Sequence, residues 1–264
     1  SKPSVIVANH QSHLDLICLM ALNPKLIFFT NEWVWKNPIY GYVIRKADYI
    51  PVNDGVEAHL DKIRALVERG YSLVIFPEGT RTVDGSIGRF HKGAFYLAAE
   101  LGLDITPVYI HGAYDVLPKT DFMLREGSVN VEVGPRIPCS KDYRSMTKVC
   151  HRIFVSHYAE LRRTLETPEY LSVYVRYKYL YKGADVESRC RKALARVNDV
   201  AFLREVPSGN HFEIHGCGQG EYALIFALMH PEVEVDAYDR DEDNVMLASN
   251  ISCLPANLHF HSES

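Results

Sequence analysis

His10 and Asp15 lie within NHQSHLD, residues 9–15, between the apolar run 5–8 and a second apolar segment. A histidine with a near-neutral pKa is the usual acceptor for the proton an attacking hydroxyl must lose. A carboxylate on the other ring nitrogen fixes the tautomer and stabilises the imidazolium. With His10 at the end of a strand and Asp15 in the first turn of the next helix, the spacing permits such a dyad. The same residues permit a second reading, because Ser12-x-x-Asp15 ahead of Leu16 and Ile17 matches an S-x-x-D capping box. His13 reads as a helix-start histidine outside the site.

A second stretch adds chemistry. The apolar segment 72–76 runs into Pro-Glu-Gly-Thr-Arg-Thr, so a strand delivers Glu78, Gly79, Thr80 and Arg81 to its carboxyl end. Ligands of open α/β sheets bind at that end of the strands. Gly79 allows a sharp turn or a close backbone approach, and Arg81 is a fork-shaped donor for phosphate or carboxylate. The alternative is a strand ending in a turn with solvated charges.

These segments need elements to hold them. Runs 5–8, 26–29, 71–76, 105–110 and 129–133 read as strands. Residues 56–70 place Leu60, Ile63 and Val67 at helical spacing with Gly70 as the stop, and further helices are expected over 92–101 and 145–165. Strands alternating with amphipathic helices predict an α/β domain over residues 1–166, a mixed sheet flanked by helices. Thr167-Pro168 marks its end. Residues 167–184, rich in tyrosine and carrying Arg176, Lys178 and Lys182, form a connecting helix that either lies on a membrane surface or packs between domains with its cations solvated.

Taken together, NHQSHLD and FPEGTRT, then FHKGA at 90–94 and ITPVY at 105–109, resemble the ordered blocks of the glycerolipid acyltransferase family (PlsC-like, of the 1-acylglycerol-3-phosphate acyltransferase type) over roughly residues 3–165. The resemblance implies that His10 is the general base on an acceptor hydroxyl and Asp15 its orienter. It also implies that Glu78, Gly79, Thr80 and Arg81 help hold a lysophospholipid or related lipid acceptor, and that acyl-CoA or acyl-carrier protein donates the acyl group without metal or bound cofactor. A peripheral position on the cytoplasmic side of the cytoplasmic membrane follows in the same way. Where the family carries a phosphate-binding arginine this chain has Asn53, and a neutral amide cannot make a bidentate charged contact. Either Arg45 or Lys46 compensates, or the acceptor carries no phosphate. The chain also starts almost at its first block, so it is expected to be a piece of a longer polypeptide.

Residues 185–264 hold a different pattern. HFEIHGCGQGE, a helical segment 222–230 and VEVDAYD read strand, glycine turn, helix and strand ending in acid. Gly216, Gly218 and Gly220 let the backbone approach a ligand at a helix start, and Asp239 is placed to accept from ribose hydroxyls. This resembles the opening half of a class I S-adenosylmethionine methyltransferase, a partial Rossmann-like segment. Ile214 stands where that family has an acid, and about three strands are present where several more are needed. The segment is therefore expected neither to bind S-adenosylmethionine well nor to methylate unless in a longer parent chain. A degenerate lipid-binding module is the non-enzymatic alternative for the whole.

Composition sets outer bounds. A net charge of −4, with 29 basic and 33 acidic residues, argues against a general nucleic-acid binder, so any anion is met locally. Six scattered cysteines with no CxxC pair suit free thiols in a reducing compartment and offer no zinc-ligand spacing.

Overall fold

The computed structural model describes residues 2–30, 48–51, 59–119 and 123–263. The chain divides into two compact units, Ser1–Glu160 and Leu161–Ser264.

In the first unit, β1 (Val5–Ala8), β2 (Leu26–Thr30), β3 (Asp48–Pro51), β4 (Ser72–Ile75), β5 (Ile105–His111) and β6 (Asn130–Val133) form one sheet in the order β3-β2-β4-β1-β5-β6. All pairings are parallel except β5 with β6. This is the expected mixed α/β architecture. β5 is buried along its whole length, as a strand covered on both faces must be. Val5, Val7, Ile27 and Leu73 are likewise shielded from solvent. The helices are α1 (Leu14–Leu22), α2 (Leu60–Glu68), α3 (Gly93–Leu101), α4 (Ala113–Val116) and α5 (Tyr143–Leu165). α2 buries Ile63 and Leu66 and stops at Gly70, whose φ of +89° is the left-handed conformation that ends helices. Strand β3 has no counterpart in the sequence reading: four residues containing Asp48 and Pro51 carry no alternation, and only pairing with β2 defines them.

Register positions the site. Val7 of β1 lies beside Ile75 of β4 in a parallel pair, so both strands end on the same edge of the sheet. His10 follows one of those ends and Glu78 the other.

The second unit contains α6 (Pro168–Lys178), α7 (Ala184–Leu194), β7 (His211–His215), α8 (Glu221–Met229), β8 (Glu234–Asp239), α9 (Glu242–Ser249) and β9 (Leu258–Ser262), with a parallel sheet ordered β7-β8-β9. Its strands alternate: Ile214, Val235, Ala237 and Leu258 are buried, while His211, Glu213, Glu234 and His259 are exposed.

The helix set apart as a connector is built into this unit. Leu171 and Val175 on α6, with Tyr179 just beyond it, share one apolar cluster with Leu224, Phe226 and Val235. Its cations are also engaged. Lys178 Nζ donates to the carbonyl of Ser252 at 2.8 Å and Lys182 Nζ to that of Asn250 at 3.2 Å, meeting carbonyls just past the end of α9. Tyr179 donates its hydroxyl to the Gln219 carbonyl at 2.7 Å. These contacts favour the packing reading of the tyrosine-rich stretch, within one unit, over a membrane-surface helix.

Candidate active site

His10 Nδ1 lies 2.8 Å from Asp15 Oδ2, with the His10 side chain one-fifth exposed and that of Asp15 fully buried. The same oxygen accepts the backbone N–H groups of Gln11 at 2.7 Å and Ser12 at 2.9 Å. The dyad therefore forms, whereas of the capping box only the carboxylate half is present. Asp15 makes the carboxylate half of the box, reaching back to Ser12 N–H, while Ser12 Oγ donates to the Leu117 carbonyl at 2.8 Å. With Nδ1–H directed at the carboxylate, Nε2 is the ring atom left to take a proton. The ring stacks on Phe76 at 4.0 Å between centroids.

Glu78 joins the two loops. Its Oε1 accepts His10 N–H at 2.9 Å and its Oε2 accepts Gly88 N–H at 2.7 Å. Burial pushes the Glu78 carboxyl above its ordinary pKa, against the lowering effect of those two hydrogen bonds. Gly88 must lack a side chain, because a Cβ there would stand 2.8 Å from Glu78 Oε2. Expected to hold the acceptor, Glu78 instead directs both oxygens at backbone and fixes the histidine's own peptide. Gly79 has φ of +70°, so its requirement is conformational, while the space beside it admits ordinary contact with His91. Thr82 N–H donates to the His10 carbonyl at 2.8 Å, a second tie between the loops. Thr80 Oγ1 accepts from Lys119 Nζ at 2.9 Å. Asn53 and Arg45 lie outside the described residues.

Two positioning residues went unread in the sequence. Asn9 makes paired hydrogen bonds with the Ile110 backbone, each 2.8 Å, prolonging the β1–β5 pairing to the edge where His10 sits. Gln11 donates to the Tyr158 hydroxyl from α5. Both partners are over a hundred residues away, so no local spacing announces them.

His13 is nearer the site than expected. Burial first, then the positive charges of Arg81 and His10, hold its pKa at about 4 against an ordinary 6.5. Between those values the unfolded chain binds more protons than the folded one, so stability falls as pH drops through that window. His13→Gln is expected to flatten the pH dependence of the melting temperature between about pH 4 and 6.5, measured against wild type. An unchanged slope would place His13 in water.

The comparisons bear on this unit. Residues 1–111 match the Acyltransferase family model. Among curated relatives of that acyltransferase type, a chloroplastic 1-acyl-sn-glycerol-3-phosphate acyltransferase of Arabidopsis thaliana is 33% identical over 145 residues, 53% of this chain and 40% of that protein. The human beta isoform of 1-acyl-sn-glycerol-3-phosphate acyltransferase is 28% identical over 175 residues, 62% of this chain and 63% of that one. The chain thus spans well under two thirds of the length of the first plant and algal relatives it matches, 40 to 44%. The crystal structure of the acyltransferase PlsC from Thermotoga maritima superposes with a TM-score of 0.55 at 23% identity, covering 61% of this chain and 67% of that one, a likeness of fold.

In the second unit, the glycine turn and the terminal acid do meet. Asp239 Oδ2 accepts Gly218 N–H at 2.7 Å, and Oδ1 accepts Asp241 N–H at 3.0 Å and the Asn244 amide at 3.3 Å. Burial opposes ionisation of Asp239, but these bonds together hold its pKa below the usual carboxylate range. Gly220, at φ of +86°, lets the turn pack on β9, since a Cβ would fall 2.7 Å from the Phe260 ring. Asp239 thereby braces the turn with both oxygens. Three donors thus already engage the acid that the sequence offered to ribose hydroxyls, leaving about one acceptor position on Oδ2.

Proposed function

We propose that the first unit transfers an acyl group from a thioester, acyl-CoA or acyl-carrier protein, to the hydroxyl of a lysophosphatidate-like lipid. The 2.8 Å contact between His10 Nδ1 and Asp15 Oδ2, on the same sheet edge as the Glu78–Thr82 loop, is the observation that carries this reading. His10 Nε2 takes the acceptor's proton as its oxygen attacks the thioester carbonyl. The C–S bond then breaks, and the departing sulfur receives that proton from the imidazolium, leaving an ester and a free thiol. Asp15 holds the tautomer and faces the positive charge that forms. In this proposal Arg81 and Thr80 hold the acceptor headgroup. None of the six cysteines belongs to the His10 or Glu78 loops, which favours direct transfer over an acyl-enzyme.

The site works at a lipid surface in this proposal, on the cytoplasmic side of the membrane. No helix among the described residues is long and apolar enough to cross a membrane. Supporting surface contact, α1 exposes Ile17 and Leu22, and Val83 beside the site loop, Met123 and Leu124 are also exposed. Six free thiols suit a reducing compartment.

Free-thiol release tests the function. Each donor is paired with lysophosphatidate and with an unphosphorylated monoacylglycerol, and thiol is expected with at least one pair. Silence with all four, alongside retained lipid binding, would reject acyl transfer and favour a lipid-binding module.

A further inference from the structure

We propose that the outer face of α5 is the docking surface for an acidic carrier protein that presents the acyl thioester, with Arg144, Lys148 and Arg152 meeting carboxylates along one of the carrier's helices. This rests on the acyl-transfer reading above and chooses between its two donors.

The charge pattern carries the inference. The whole chain has a net charge of −4, yet from Tyr143 to Leu165 α5 carries Arg144, Lys148, Arg152, Arg162 and Arg163 against Glu160 alone. Arg144, Lys148 and Arg152 recur every fourth residue, so they line one stripe of the helix. All three are exposed, and none meets an ion-pair partner among the described residues. Acids close by are engaged elsewhere. Asp142 accepts the Ser145 N–H at 3.0 Å, and Glu132 lies 2.9 Å from His157 Nε2. Exposed cations arranged in this way steer an oppositely charged partner and fix its register.

Two features specify the partner. At 1.5 Å per residue the stripe extends about 12 Å, so its cations match carboxylates spaced along a second helix rather than one compact headgroup. Beside it runs a shallow groove of about 460 Å³ lined by Val149, Arg152, Ile153, Ser156, His157 and Glu160, with Ile153 37% exposed. Such a groove takes an apolar side chain from a docked protein, joining buried contact to a charged rim. A bilayer surface offers nothing to fill it, and the exposed apolar side chains assigned to lipid above lie on other elements.

The inner face of the same helix braces the site. His151 Nε2 meets the Gly88 carbonyl at 3.1 Å, and the Tyr158 hydroxyl accepts from Gln11. Gly88 N–H is held by Glu78, and Gln11 follows His10. His151 stands three residues from Lys148, so one flank of the stripe adjoins these contacts. A carrier seated there is about 10 Å, one helix diameter, from the loops, within reach of its thioester-bearing arm.

The test compares donors of one acyl length, acyl-carrier protein and acyl-CoA, in steady-state kinetics of the full chain. Wild type is expected to use the carrier, with a KM that rises with salt. The combined reversal Arg144→Glu, Lys148→Glu, Arg152→Glu should raise the KM for the carrier roughly 10- to 100-fold, leaving its kcat and both constants for acyl-CoA unchanged. The conservative set Arg144→Lys, Lys148→Arg, Arg152→Lys should keep most of the wild-type KM. Equal losses with both donors would mean a structural or nucleotide-binding stripe. No loss, or a wild type that uses only acyl-CoA, would equally overturn the proposal. So would an unchanged carrier KM with weakened binding to phosphatidylglycerol vesicles, which would assign the stripe to lipid. Titration of acyl-carrier protein against wild type and the reversal reads docking without turnover. Silence with both donors would reject acyl transfer, while absence of charge-dependent binding in that titration would reject the docking surface.

Discussion

His10→Ala lowers the rate of thiol release by on the order of 10²- to 10⁴-fold, the range for a positioned general base, while the fold survives nearly intact. The site makes this a clean experiment. The imidazole is partly exposed, and its packing is mainly the stack on Phe76, so its removal costs about 0.5–1.5 kcal/mol. The bond to Glu78 comes from the His10 backbone and persists in alanine. Asp15 keeps its N–H donors from Gln11 and Ser12, so no buried carboxylate is stranded. Activity should therefore fall without a matching fall in melting temperature. A variant retaining more than about a tenth of the wild-type rate would show that His10 is not the base, because even a modest general base contributes more than that.

The site was legible where its chemistry lies in short contiguous stretches at the ends of neighbouring parallel strands. His10 with Asp15, and Glu78 through Arg81, are of that kind, and spacing alone brought each group to one loop. What spacing leaves open is which atom meets which. Asp15 looked like either an orienter or a capping residue, and one oxygen with three donors serves both. Glu78 looked like a ligand group, yet its partners are backbone N–H groups of His10 and Gly88, set by how two loops cross. Asn9 and Gln11 act through contacts fixed by sheet register and helix docking, to which local pattern is blind. The same limit governed the fold. β1, β2, β4 and β5 were readable as apolar runs, but β3 exists by virtue of its neighbour. In α6 the buried Leu171 and Val175 stand at helical spacing, whereas Lys178 looked like a solvated cation until the Ser252 and Asn250 carbonyls were placed beside the stretch it belongs to.

Asp15→Asn should differ from His10→Ala in kind, reducing thiol release by about 10²- to 10⁴-fold and lowering stability as well. The amide has two ways to sit. With its oxygen in the place of Oδ2, it still accepts from Gln11, Ser12 and His10, but the charge opposing the imidazolium is gone. Its NH₂ then occupies the site of Oδ1, which is buried and meets no partner among the described residues. That unsatisfied donor costs about 1–3 kcal/mol. Turned the other way, the NH₂ faces two backbone N–H groups and the ring nitrogen, which loses both backbone bonds and forces the proton onto Nε2, where the base must be empty. The backbone donors favour the first orientation. Either way kcat and the melting temperature fall together, because one carboxylate both closes the start of α1 and holds the base. Lowered stability with full activity would leave Asp15 a capping residue alone, whereas the expected pattern, paired with an active-site loss but a stable fold in His10→Ala, separates the chemistry of the loop from its architecture.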